Sequence, residues 1–198
     1  MTSLSGKVAV ITGASRGTGR MTAIAFAGAG ADLLLAARNI EELNETAEQA
    51  RSFGIRAETC FTDMTDAASV EAMIASADAL LGRIDILVNN AGGAGAYVEG
   101  GTAGLLDTSN EAWDTLFALN VRGPFIAARE AAKIMKRQGG GSIINIGSVH
   151  GHFTRASYQG YSASKAAIRE LTTMWAVELG QYGIRVNEIA PGIIMAGL

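Results

Sequence analysis

Tyr161 and Lys165 stand at i and i+4 in Tyr161-Ser162-Ala163-Ser164-Lys165, an interval that on a helix places a phenol and an ammonium on one face. Such a pair suits acid–base work at a carbonyl. Reduction needs an acid to protonate the developing alkoxide, and the reverse oxidation needs the same group as a base, yet a free phenol titrates near 10. At about 4 Å and an effective dielectric near 20, one positive charge favours phenolate by up to roughly 4 kcal/mol, about three pKa units. The spacing therefore predicts that Lys165 draws the Tyr161 pKa toward neutrality. Ser148 follows the apolar run ending at Ile146 and brings a hydroxyl able to polarise a substrate carbonyl.

A second constellation sits near the N-terminus, where Val8 to Thr12 runs into Gly13-Ala14-Ser15-Arg16-Gly17-Thr18-Gly19 and then a helical stretch. Glycines there let the backbone turn tightly and let a pyrophosphate sit on exposed amides at a positive helix N-terminus. The next apolar run ends at Ala37-Arg38. A site selective for NAD(H) places a carboxylate there for the ribose 2′-hydroxyl, whereas a 2′-phosphate needs cations. With Ala37 at that place, and Arg16 and Arg38 offering planar forks suited to phosphate, the expected cofactor is NADP(H) rather than NAD(H).

The elements that must position these groups follow from patterning. Short β-branched or leucine-rich runs at Val8–Thr12, Asp32–Ala36, Arg56–Phe61, Ile84–Val88, Ser142–Ile146 and Arg185–Ile189 alternate with alanine-rich segments of helical period. That alternation predicts an α/β fold, a doubly wound parallel sheet with helices on both faces. Helices are expected to begin near Gly17, Glu41, Ala67, Glu111 and Ser162, with Asn39, Asp66 and Asn110 as N-caps. Pro124 lies at i+4 from Asn120 and cannot donate a helical hydrogen bond, so the Asn120 carbonyl is expected to be released from the regular ladder.

Composition bounds the function. The chain has 198 residues, 48% hydrophobic and 18% charged, with a net charge of -3, which fits one domain without the basic stripe of a nucleic-acid binder. Cys60 is the lone cysteine, so no internal disulfide forms and a reducing compartment is expected. The first residues lack the regions of a signal peptide, and the greasy stretch 22–37 is broken by Gly28, Gly30 and Asp32, so a cytoplasmic protein with no membrane association is expected. His150 and His152 have no further ligands at metal spacing, and no metal is expected.

The glycine loop, the Tyr-x-x-x-Lys pair and the preceding serine together resemble the short-chain dehydrogenase/reductase family, including its 3-oxoacyl-acyl-carrier-protein reductases, over about Lys7 to Gly192. The resemblance implies a single NADP(H)-binding Rossmann-type domain over 1–198 and a catalytic tetrad of Asn120, Ser148, Tyr161 and Lys165. In it, Asn120 holds the lysine through its main-chain carbonyl and a water. It also assigns Asp63 and Met64 to the adenine, Asn90, Ala91 and Gly92 to the ribose, and Pro191, Gly192 and Ile194 to the nicotinamide side. Gly13, Ser15, Gly17, Thr18 and Gly19 join Arg16 and Arg38 around the phosphates, and Tyr161 and Lys165 also touch the cofactor.

Where the family commonly has a threonine, this chain has Ala196, and it stops at Leu198, before the substrate-covering helices and final strand such chains carry. The expectation is an incomplete form of a longer protein. His150, Phe153 and Gln159 are the candidate substrate contacts, in a pocket that includes Tyr97 and Arg155. The implied reaction is hydride exchange between NADP(H) and a carbonyl or secondary alcohol of a small molecule, in a homodimer or homotetramer. The alternatives are a binding protein with little or no turnover, and redox-neutral lyase or epimerase chemistry.

Overall fold

Six apolar runs pair side by side into one sheet, in the order β3-β2-β1-β4-β5-β6, with every neighbouring pair parallel. In this computed structural model, which describes residues 3–95, 98–153 and 156–194, the strands are β1 (Val8–Thr12), β2 (Asp32–Ala37), β3 (Ala57–Phe61), β4 (Ile86–Asn89), β5 (Gly141–Ile146) and β6 (Ile184–Ile189). The helices are α1 (Gly17–Gly28), α2 (Ile40–Arg51), α3 (Ala67–Leu81), α4 (Asn110–Phe117), α5 (Gly123–Gln138) and α6 (Gln159–Leu179). The order reverses direction between β1 and β4, so the loops leaving these two strands diverge and open a crevice at the sheet's carboxyl edge. The expected doubly wound α/β architecture is the one found.

Strand composition follows from burial on both faces. Val8 and Val10 point with Leu34, Leu87 and Ile143 into a core shared with α3, α5 and α6. Ala9 and Ile11 point with Leu33 and Leu35 into a second core against α1 and α2. With both parities covered, alternation gives way to continuous apolar runs. Asn89 and Asn145 are polar residues on the α5/α6 side. Asn89 donates to Oδ1 of Asn145 at 2.9 Å, and Asn145 donates to Oγ1 of Thr172 on α6 at 2.9 Å.

Helix starts agree with the sequence in part. Asn39 caps α2 by accepting from Glu42 N–H, and Asp66 caps α3 by accepting from Ala68 N–H. The α4 cap is Ser109 rather than Asn110: Ser109 has extended backbone and accepts from Ala112 N–H at 3.1 Å, while Asn110 is already in the helix. The stretch expected as one helix from Glu111 to Gln138 is two, joined by a π-helical turn over Ala118–Arg122. There Gly123 N–H reaches back five residues to the Ala118 carbonyl. Pro124 supplies the cause, because it can neither donate to the Asn120 carbonyl nor tolerate the regular ladder. The last helix starts at Gln159, ahead of the expected Ser162, so Tyr161 lies within its first turn. Among the described residues no helix is long and apolar enough to cross a membrane.

The Asn89–Asn145–Thr172 chain ties β4, β5 and α6 together beneath the crevice. Asn145→Ala removes two buried hydrogen bonds and leaves amide and hydroxyl groups under-satisfied, so urea unfolding should report a loss of about 2–4 kcal/mol. A loss below about 0.5 kcal/mol would show that the chain contributes no more than surface polar contacts do.

Candidate active site

A cavity of about 720 Å³ occupies the crevice between the β1 and β4 loops, and every residue of the expected cofactor set lines it, from Gly13 through Arg38 and Asp63 to Ile194. Its floor is built by the glycine loop. Gly13 has φ +66, and a Cβ on Gly19 would overlap the Gly13 carbonyl, so the turn closes only with glycine at both places. Helix α1 leaves this loop without a side-chain cap, so its first-turn amides face the cavity mouth as an anion cradle. The backbone shape fits the diphosphate of a dinucleotide.

Thr12 and Asn90 lock that loop to its neighbour. Thr12 Oγ1 accepts from the amides of Asn90 and Ala91 at 3.1 and 3.0 Å, while the Asn90 side chain donates to the carbonyls of Thr12 and Gly13 at 2.9 and 3.3 Å. At the far end Arg38 and Arg16 line the wall together with Glu42. Asp63 is held below the ordinary carboxylate range. Burial pushes it up, but hydrogen bonds from the Thr65 amide and hydroxyl and the charge of Arg38 outweigh that.

Ser148, Tyr161 and Lys165 line the opposite end. Lys165 is 5% exposed, and its ammonium donates to the Ile146 carbonyl at 2.7 Å, standing 5.8 Å from the centroid of the Tyr161 ring. Burial draws its pKa down to about 8, with Glu188 pulling the other way. Ser148 Oγ accepts from the His150 amide at 3.1 Å, which leaves its proton to donate. The Tyr161 pKa is raised, contrary to the expected fall. Burial of the ring is the main cause, a hydrogen bond with Ser148 opposes it, and Tyr158 adds to the rise. The Lys165 charge is spent on the Ile146 carbonyl and is itself weakened by burial, so it does not offset the desolvation of the phenol.

Asn120 stands behind the wall. Its side chain is 1% exposed, accepts from Gly93 N–H at 3.0 Å, and donates to the Gly93 carbonyl at 3.0 Å and to Ser164 Oγ at 3.1 Å. Ser164 in turn donates to the Tyr161 carbonyl, so Asn120 braces the first turn of α6 against the β4 loop. Of the candidate substrate contacts, His150 packs edge-on to the rings of Tyr158 and Tyr161 at 5.1 and 5.7 Å. Gln159 is tied through its amide to Ala103, and Phe153 is 73% exposed. None of the three lines the cavity, and Tyr97, Arg155 and Ala196 lie outside the described residues. No group of three or more metal-type side chains gathers among the described residues.

Sequence reasoning missed Thr12, Glu42 and Glu188. Thr12 was signalled by a polar residue closing an apolar strand. Glu188 was signalled by parity, since it continues the inward positions Ile184 and Val186 of β6.

Comparison with known proteins agrees with this geometry. The family model described as short chain dehydrogenase matches residues 7–198. An uncharacterized oxidoreductase of Thermotoga maritima is 41% identical over 187 residues, which is 94% of this chain and 71% of that protein. A 3-oxoacyl-acyl-carrier-protein reductase of the same organism is 34% identical over 96% of this chain and 75% of its own length. Among solved structures, a 7α-hydroxysteroid dehydrogenase complexed with NADH and 7-oxo glycochenodeoxycholic acid superposes with a TM-score of 0.92 at 36% identity, covering 98% of this chain and 73% of that one. The chain belongs to the short-chain dehydrogenase family, whose members are oxidoreductases that use a nicotinamide cofactor.

Proposed function

We propose that this chain is an NADP(H)-dependent oxidoreductase that interconverts a carbonyl and a secondary alcohol of a small molecule, acting as a homo-oligomer in the cytoplasm. The observation that carries the reading is the convergence of Ser148, Tyr161 and Lys165 at one end of a cavity whose other end holds the glycine loop and Arg38. The relatives point the same way in name, one to a 3-oxoacyl reductase and one to a hydroxysteroid dehydrogenase bound to a 7-oxo compound. The bound cofactor would supply or accept the hydride.

The chain's own residues handle the proton. Ser148 donates to the substrate oxygen and polarises it, and Tyr161 delivers its phenolic proton to the alkoxide as charge develops. The raised pKa keeps Tyr161 protonated at neutral pH, which is the form reduction needs. A charged Lys165, 5.8 Å from the ring centroid, would ease the cost of the phenolate left behind without outweighing the effect of burial, and it must carry its proton to do so. Arg16 and Arg38 would hold a 2′-phosphate, on a cavity wall that also carries the carboxylates of Glu42 and Asp63. His150 and Gln159 stand on the segment leading to Tyr161, where they would meet the substrate.

Tyr161→Phe should retain NADPH affinity within about threefold and lose at least a thousandfold in carbonyl reduction against a panel of ketones, β-ketoacyl thioesters and sugars; turnover near the wild-type rate would overturn the assignment of the acid. The Michaelis constant for NADPH should lie at least tenfold below that for NADH, and Arg38→Ala should remove most of that gap; a preference for NADH would remove the two-arginine argument.

Lys165 also leaves a mark on stability. The unfolded lysine holds its proton to about the ordinary 10.5 and the folded one releases it at about 8, so between those values the unfolded state binds more protons and stability rises with pH. Chemical denaturation should show a rise on the order of 3 kcal/mol across that window, absent in Lys165→Met; a flat wild-type curve would contradict the burial of a charged Lys165.

A further inference from the structure

A carboxylate that the reaction above does not use lies beside the catalytic end. Glu188 sits on the inward parity of β6, opposite Asn145 of β5 in register, and its side chain is 11% exposed. Oε2 lies 3.1 Å from Nε2 of His152, while Oε1 is buried with no hydrogen-bond partner. The space it fills belongs to Gly147, where an added Cβ would overlap Glu188 Oε1. Gly147 directly follows Ile146, whose carbonyl receives the Lys165 ammonium. A buried carboxylate is costly unless a cation answers it, and Lys165 is the buried cation on this face.

We propose that Glu188 is a positioning residue for Lys165: clasped by His152 and given room by Gly147, it supplies the negative charge that compensates the buried ammonium. The two are not in direct contact, so the interaction is through space across the Gly147 backbone, in surroundings where a charge acts at longer range than in water. The field of Glu188 raises the Lys165 pKa against the larger effect of burial. The other titratable groups here are His152, which is hydrogen-bonded to it, and His150, which packs on Tyr158 and Tyr161 instead. Asn145 on β5 and Gly147 just after it carry no charge, and Arg185 points to the opposite side of β6, where it is exposed. His152 fastens the one-turn helix after Ser148 to β6, so the same carboxylate also steadies the turn that presents the Ser148 hydroxyl.

The electrostatic part stands independently of turnover; its consequence for the reaction rests on the role proposed above for Lys165. The test is the titration of Lys165 Nζ, followed by NMR on lysine-labelled protein in the wild type, Glu188→Gln and Glu188→Asp, with thermal melts alongside. Glu188→Gln should lower the Lys165 pKa by about one unit, and Glu188→Asp should restore it to within a few tenths. The double variant Glu188→Ala with Gly147→Ser refills the space without charge and should show the same fall if Glu188→Gln does not fold. A lower melting temperature with an unmoved Lys165 titration would reduce Glu188 to a structural residue and overturn the proposal. If the Lys165 titration moves but the alkaline limb of carbonyl reduction does not follow it, the proposal stands and the catalytic role of Lys165 fails.

Discussion

A positive charge buried at the carboxyl edge of a parallel sheet is the constraint around which this molecule is organised. Lys165 reaches its place because α6 begins just before Tyr161 and packs against β6, and it stays there because its ammonium donates to the Ile146 carbonyl at the end of β5. Strand ends in a parallel sheet leave backbone groups without a ladder partner, and here one of them holds the lysine. Burial lowers the cost of removing the proton from Lys165 and raises the cost of removing it from Tyr161. The two groups thus move apart in acidity, Lys165 down to about 8 and Tyr161 above its ordinary 10, which leaves Tyr161 protonated at neutral pH.

The remaining architecture delivers partners to that charge. The reversal of strand order between β1 and β4 opens the crevice, and Thr12 with Asn90 clamps the loops on its two sides into one rigid floor. The π-helical turn before Pro124 rotates Asn120 so that its side chain spans Gly93 and Ser164. Asn89, Asn145 and Thr172 carry the same bracing through the core. Each of these polar links joins a loop of the cavity to a strand or helix beneath it, which keeps the cofactor end and the acid–base end at a fixed separation.

Much of this was legible in the sequence because local spacing encoded it. The Tyr161 and Lys165 interval, the glycine loop and the apolar runs named the strands, the crevice and the cavity wall, since each depends on residues close in sequence. Pro124 announced a break in the ladder by its missing N–H, although not that two helices would result. What could not be read were terms set by tertiary packing. The direction of the Tyr161 shift depends on how deeply the ring is buried and on where the Lys165 ammonium points. The place of Glu188 depends on the pairing of β6 with β5 and on the gap at Gly147. Ser109 displaced Asn110 as a cap because either residue type satisfies the local preference and the loop before α4 decided between them.

The central claim is that the chain moves a hydride while Tyr161 moves a proton, and tracing the hydrogen tests it most directly. With NADPH carrying deuterium at the transferable C4 position and a ketone substrate, the label should appear on the carbinol carbon of the product, one deuterium for each NADPH consumed. A product with no label, or product formed without NADPH consumption, would contradict the account.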